Sequence, residues 1–254
     1  MLQVRYNRKT EEISEEQFRL RIADGSLRRS SELDFRGGAK VRSADLLGDD
    51  RWHSVEETTE WRQVAPIWHV PPPGPHLAKT ALLALTAIFG VASGFLRPGV
   101  TSYDNPAWSP MVLSGLGGMI VWLVVVHGMW KSIRGSFSTT APVMAVVGFF
   151  LPIYNVYWLF AGHTGFVKNY NLVVSLLQDR YGKSPAPLRM WPFVAYPIVF
   201  LVWAVTIQYH LAPAAAASIE LTSVAFRAVL IMRACDAVNA LHALRRDSPD
   251  MAQA

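Results

Sequence analysis

A single cysteine, Cys235, occurs in 254 residues, which excludes a disulfide framework and a thiolate metal site. Its apolar surroundings suit a small buried hydrophobe. A basic-then-apolar leader is missing too. The chain is polar from Gln3 onward, so no cleaved signal peptide is expected and the first domain should stay on the synthesis side of a membrane. Nowhere do the spacings of a metal-ligand set, a carboxylate dyad or a nucleophile-base pair occur. His127, His163 and His210 lie near the ends of apolar segments. The expectation is a non-enzymatic protein with no catalytic residue, no metal and no cofactor.

Charge is distributed unevenly. Up to His76, twelve Lys and Arg face thirteen Asp and Glu; beyond it twelve face six, which together give the net +5. The basic excess therefore belongs to the more hydrophobic part of the chain. Cations lying between apolar segments read as loops facing an anionic cytoplasmic leaflet, and nucleic acid is not expected as a partner.

Composition changes at Pro71-Pro72-Pro73-Gly74-Pro75. The reading is a small cytoplasmic α+β domain over 1–62, a proline-rich linker over 63–76, a helical transmembrane domain over 77–246 and a cytoplasmic tail over 247–254. The segment "WHVPPPGPH" from Trp68 to His76 is formally a proline-rich ligand, but it reads as a stiff spacer of polyproline geometry.

In the first domain Leu2 to Tyr6 alternates as a short strand does. Ser14 then stands three residues before Gln17, a capping box, with Ile13 and Phe18 at the two positions of a hydrophobic staple. A helix is expected from Glu15 to Ala23, ending at Asp24-Gly25. Ser31 to Phe35 and Ala39 to Val41 read as strands around Gly37-Gly38, with Trp52 covering the sheet. An initial strand with an aromatic, then "ISEEQFRLRIADGSL", then a late tryptophan followed by "HSVEE" resembles the bacterial GYF-like domains over about the first 57 residues. GYF-type domains are similar in fold to readers of proline-rich peptides, and the resemblance implies Tyr6 and Trp52 as peptide-binding contacts. Two departures stand beside it: Glu12-Ile13 replaces the Gly-Pro usually found before the helix, and groove aromatics are sparse. On the residues alone, Tyr6 and Trp52 read first as fillers of a small core.

Four later stretches are long and apolar enough for a hydrocarbon core that needs about 20 residues: Leu77 to Leu96, Pro110 to Trp130, Trp191 to Tyr209 and Ala214 to Ala237. A fifth, Ala141 to Phe160, is interrupted by Pro152. If all five cross from a cytoplasmic N-terminus, three loop cations lie inside and seven outside, backwards for the positive-inside rule. If Ala141 to Phe160 returns to the side it entered, nine lie inside and only Arg97 outside. The expected fold is an α-helical membrane bundle of about four transmembrane helices, with a re-entrant or interfacial hairpin breaking near Pro152. Both termini are then cytoplasmic and the location a bacterial inner membrane. Phe166 to Leu177 repeats apolar residues at threes and fours and reads as an amphipathic helix lying on the inner surface.

The segment "FFLPIYNVYWLFAGHTGFVKNYN" and the later "ACDAVNAL" resemble an uncharacterised family of bacterial membrane proteins that carry GYF-like domains and a Pro-x-Tyr-Asn-x-Tyr-Trp motif. That family has no established activity to carry over.

Ionisable and amide residues at membrane depth need a partner or a reason. Glu220 and Arg227 lie seven apart, on one helix face, while Arg233, Asp236 and Asn239 occupy another. With Asn155 from the broken hairpin these six are the intramembrane candidates. Their structural reading pairs Arg233 with Asp236 and lets Arg227 snorkel or find a neighbour. "GLGG" at Gly115 to Gly118 suits close helix packing. The leading functional expectation is an adaptor or scaffold that presents its first domain to a proline-rich protein. The competing one is a small transporter or channel-like component using Glu220 and Arg227. The partners expected are the lipid bilayer, a proline-rich protein and further copies of the chain.

Overall fold

The computed structural model describes residues 2–6, 9–23, 27, 39–43, 49–64, 76–96, 108–134, 140–151, 154–206 and 213–248. Over these the chain is mostly helical, with one small antiparallel sheet.

Strands β1 (Leu2–Tyr6), β2 (Lys9–Ile13), β3 (Lys40–Ser43) and β4 (Asp49–Ser54) lie in the order β2-β1-β3-β4. Leu2 pairs with Ile13, Val4 with Val41 and Val41 with His53. Alternation along β1 turns Leu2 and Val4 inward, where both are buried with Val41. Helix α1 (Glu15–Ala23) supplies Phe18 and Ile22 to the same core. The expected capping box is present. Ser14 Oγ accepts from the Gln17 N–H and Gln17 Oε1 accepts from the Ser14 N–H, each at 3.2 Å.

Two strands went unforeseen. In β2, "KTEEI", only Ile13 is buried, so the strand carries almost no apolar alternation to read. Trp52 belongs to β4, yet the tryptophan that fills this core is Trp61, on α2 (Thr59–Val64), whose N-terminus Thr58 caps by accepting the Trp61 N–H at Oγ1. The expected strand at Ser31 to Phe35, the Gly37-Gly38 turn, the Asp24-Gly25 ending and the run 65–75 lie outside the described residues.

The longer helices are α3 (Lys79–Leu96), α4 (Trp108–Ser132), α6 (Tyr154–Tyr181), α7 (Trp191–Thr206) and α8 (Pro213–Asp247), with a short α5 (Pro142–Val147) between α4 and α6. Helix α8 is the hub and packs against α3, α4 and α7. Close approaches follow the glycines. A Cβ on Gly90 would lie 2.5 Å from a Val224 methyl, and one on Gly117 2.6 Å from the Phe89 ring.

Among the described residues one helix, Ser109–Ser132, is long and apolar enough to cross a membrane by length and composition, where four such stretches were expected along the chain. Lys79–Ser93 and Trp191–Val205 are shorter apolar helices, and α8 carries charge along its length. The stretch 141–160 is indeed broken: α5 has six residues, a turn follows at 148–151, and α6 begins at Tyr154. However, the amphipathic segment Phe166 to Leu177 is no separate surface helix. It continues α6, and Phe166, Val167, Tyr170, Val173 and Leu177 are covered by protein. Gly182, at φ +64°, ends α6 by returning its N–H to the Gln178 carbonyl. Asn171 then holds Leu188, accepting its N–H at 2.7 Å and donating to its carbonyl at 2.9 Å.

Arg245 is buried at the end of α8. Burial pushes its guanidinium down to about 10, so it remains charged at neutral pH.

Candidate functional site

The six polar candidates divide into two groups. Asp236 and Asn239 act at the start of α3. Lys79 Nζ lies 2.6 Å from Asp236 Oδ1, the Leu77 N–H donates to Asn239 Oδ1 at 2.8 Å, and Asn239 Nδ2 donates to the Leu77 carbonyl at 2.9 Å. This is a bracket between two helices, and it replaces the expected Arg233–Asp236 pair; Arg233 is exposed. Two backbone hydrogen bonds from one amide fix the register of α3 on α8, because removing Asn239 strands both partners.

Glu220, Arg227 and Asn155 gather around two cavities. The smaller, about 240 Å³, includes Ser93, Ser114, Glu220 and Arg227 in its wall. A larger one, about 490 Å³, is walled mainly by aromatic and aliphatic side chains, among them Trp122, Phe149 and Phe200, with Asn155 and Arg227 as polar members. Gly115, Trp203 and Arg227 line both. Their shared wall is the centre of the site.

At that wall Arg227 has its Nε buried, and among the described residues it forms no hydrogen bond and no ion pair. Gly118 makes room for it: a Cβ there would lie 3.3 Å from Arg227 Nη1. Glu220 is buried and accepts from the Trp203 indole N–H. Seven residues of helix put it about 10 Å along the axis from Arg227. Gly115 differs from its neighbours in "GLGG", since a Cβ on it would meet nothing within 4 Å. The missing side chain there is open space between the two cavities.

Behind the larger cavity α4, α6 and α7 meet in a cluster of rings. His163 lies on Trp122 at 5.0 Å between ring centroids, and both face Tyr196, at 5.7 and 5.0 Å. A carbonyl only accepts, so His163 Nδ1 carries the proton it gives to the Leu159 carbonyl, and Nε2 is left an acceptor, buried without a partner. His163, read in the sequence as lying near a segment end, and Trp203, which stands singly in an apolar run, reach this wall through helix packing. The only signal was that a buried indole N–H or imidazole seeks a partner.

The peptide-binding pair is not brought together. Tyr6 has the strand parity of Leu2 and Val4 and packs on the core. Trp52 lies across the sheet, under the Arg5 guanidinium, whose Cζ is 4.2 Å from its ring centroid. Among the described residues no group of three or more His, Cys, Asp or Glu is placed to hold a metal ion. No protein-family model, curated protein or solved structure matches this chain, so its likeness to GYF-like domains rests on the sequence motifs alone.

Proposed function

We propose that the helical part lies in a membrane and serves as a receptor or carrier for a small organic anion held by Arg227 between the two cavities. The observation that carries this reading is the unpartnered guanidinium at their shared wall. A guanidinium nitrogen buried without a partner is costly, and a bound anion supplies the missing partner. A chamber of 490 Å³ falls within the range of about 300–1,000 Å³ that small-molecule sites occupy.

Support for the membrane comes from the outside of the bundle. Large apolar side chains such as Ile88, Leu113, Ile120, Phe150 and Val202 are exposed on α3, α4, the turn after α5, and α7. A surface of that kind is unfavourable in water and suits lipid. Helix α8, at 35 residues, is about 52 Å long, enough to cross a hydrocarbon core of about 30 Å and still carry its Asp236–Asn239 bracket beyond it. The loop cations then favour cytoplasmic termini in a multi-pass protein.

A second reading, the adaptor, retains one observation: the Trp52 indole is partly exposed. Its Arg5 cover and the opposite placement of Tyr6 make it the weaker of the two.

Ligand-induced thermal stabilisation of the detergent-purified chain tests the anion site. Among carboxylates and phosphate esters, at least one at about 100 times its Kd should stabilise by about 2.7 kcal/mol. Arg227→Gln should remove that stabilisation. If no anion stabilises the wild type, or if the Arg227→Gln protein responds equally, the reading fails.

A further inference from the structure

Resting on that reading, we infer that the anion is the head of a single-chain amphiphile with one terminal carboxylate, its chain lying in the larger cavity and drawn in sideways from the bilayer. Three properties of the cavity carry this: its lining, its opening and its charge.

Apart from Asn155 and Arg227, the described wall is mainly aromatic and aliphatic surface, with Trp122, Leu123, Phe149, Leu159 and Phe200 among its members. A small hydrophilic anion would meet Arg227 and leave that surface facing water. An apolar chain covers it, and the burial is favourable in proportion to the area removed from water. At roughly 30 Å³ for a group the size of a water molecule, 490 Å³ holds about sixteen such groups, which is one chain of middling length with its head rather than a two-chain lipid.

The opening sets the route. Phe150, Val156 and Met119 line the cavity and are also exposed, at 56%, 49% and 39%. They stand on the turn after α5, the first turn of α6 and the middle of α4. The mouth therefore opens on the apolar belt of the bundle, and a ligand dissolved in lipid enters without passing through water.

The charge sets the head. Among the described residues lining the two cavities, Arg227 is the one cation. A carboxylate matches it charge for charge and accepts parallel N–H bonds from the guanidinium fork, whose Nε is otherwise buried without a partner. A doubly charged phosphate head would bring a second negative charge among apolar walls, with no further cation there to meet it.

Titrating the full-length chain in phosphatidylcholine nanodiscs with ω-bromododecanoate, whose bromine quenches tryptophan on contact, tests this. Trp122 lines the cavity but is buried in the bundle, so probe dissolved in the surrounding lipid does not reach it. The wild type should show a saturable quenching component that falls in Trp122→Phe. Arg227→Gln should weaken it roughly tenfold or more. Gly115→Leu enters open space, so it should fold normally and still exclude the probe. Unbrominated dodecanoate should displace the probe, whereas butyrate and dodecanol, which carry the head or the chain alone, should not at the same concentration. If butyrate competes as well as dodecanoate, the chain contributes nothing and the inference fails while the anion site stands. If dodecanol competes equally and Arg227→Gln has no effect, the cavity takes chains regardless of charge and both readings fail. Tighter binding of dodecyl phosphate than of dodecanoate would overturn the carboxylate head and keep the anion site. Saturable quenching that survives unchanged in Trp122→Phe and Gly115→Leu places the probe outside the cavity, against the inference. Absence of any saturable component also overturns it and leaves the anion panel to decide the site itself.

Discussion

In the sheet domain Leu20 is the one large apolar side chain exposed among the described residues, whereas twenty are exposed from Leu85 onward. Both regions bury a carboxylate, Glu60 in the first and Glu220 in the second. The first region buries Phe18, Ile22 and Trp61 and keeps its ion pairs, such as Arg21–Glu11 and Arg19–Glu15, at the surface. The second buries Glu220 and His163 within the bundle and half-buries Arg227. One chain is thus arranged for two solvents. Core packing drives the first part, while in the second the apolar surface is an outside and the polar groups inside are the specific ones.

The largest expected effect contrasts a buried residue of the first region with an exposed one of the second. Trp61→Ala should cost about 3–5 kcal/mol of sheet-domain stability, read as selective proteolysis of residues 1–64 with the bundle intact. Ile88→Ala, in detergent, should stay within about 0.5 kcal/mol. A core-sized loss at Ile88 would mean that its face is packed against protein in solution, and the comparison would break.

Charge placed on the belt comes next. Ile120 is 59% exposed near the middle of α4. Ile120→Lys should lower membrane insertion by about 2.5–3.5 kcal/mol, measured as the glycosylated fraction of a reporter segment in microsomes. Arg62→Lys on the sheet domain is the control and should change nothing. Undiminished insertion of the Ile120→Lys segment would place α4 in water.

What was legible in the sequence follows the same division. Helix α1 could be bounded to the residue because Ser14, Gln17, Ile13 and Phe18 make a local signal that needs no tertiary context. Pro152 likewise marked a break that occurs. Strand β2 was not legible, since its neighbours β1 and β3, not its own pattern, decide that "KTEEI" is extended. In the site, Glu220 and Arg227 could be set on one face from their spacing of seven, but their reason could not. That Asp236 answers to Lys79, 157 residues away, and that Gly115 leaves space where Gly117 meets Phe89, are facts of assembly between helices. The motif "GLGG" reads identically at both glycines.

The smallest effect tests whether function could lie in the first region after all. Arg5 over Trp52 is an exposed cation-π contact worth about 0.5–1 kcal/mol, so Arg5→Ala should lower sheet-domain stability by about that amount. The synthetic peptide WHVPPPGPH, copied from residues 68–76, is the natural ligand to offer, because a reader of proline-rich segments needs an open indole face and a second aromatic beside it. Trp52 has one face covered and Tyr6 points across the sheet, so the full-length wild type should leave the peptide unbound in a fluorescence-anisotropy titration. Uncovering the indole in Arg5→Ala supplies only one of the two contacts and should not create a site. If the wild type binds the peptide and Trp52→Ala abolishes binding, the sheet domain is a recognition element, Arg5 is a movable cover, and function shifts out of the bundle.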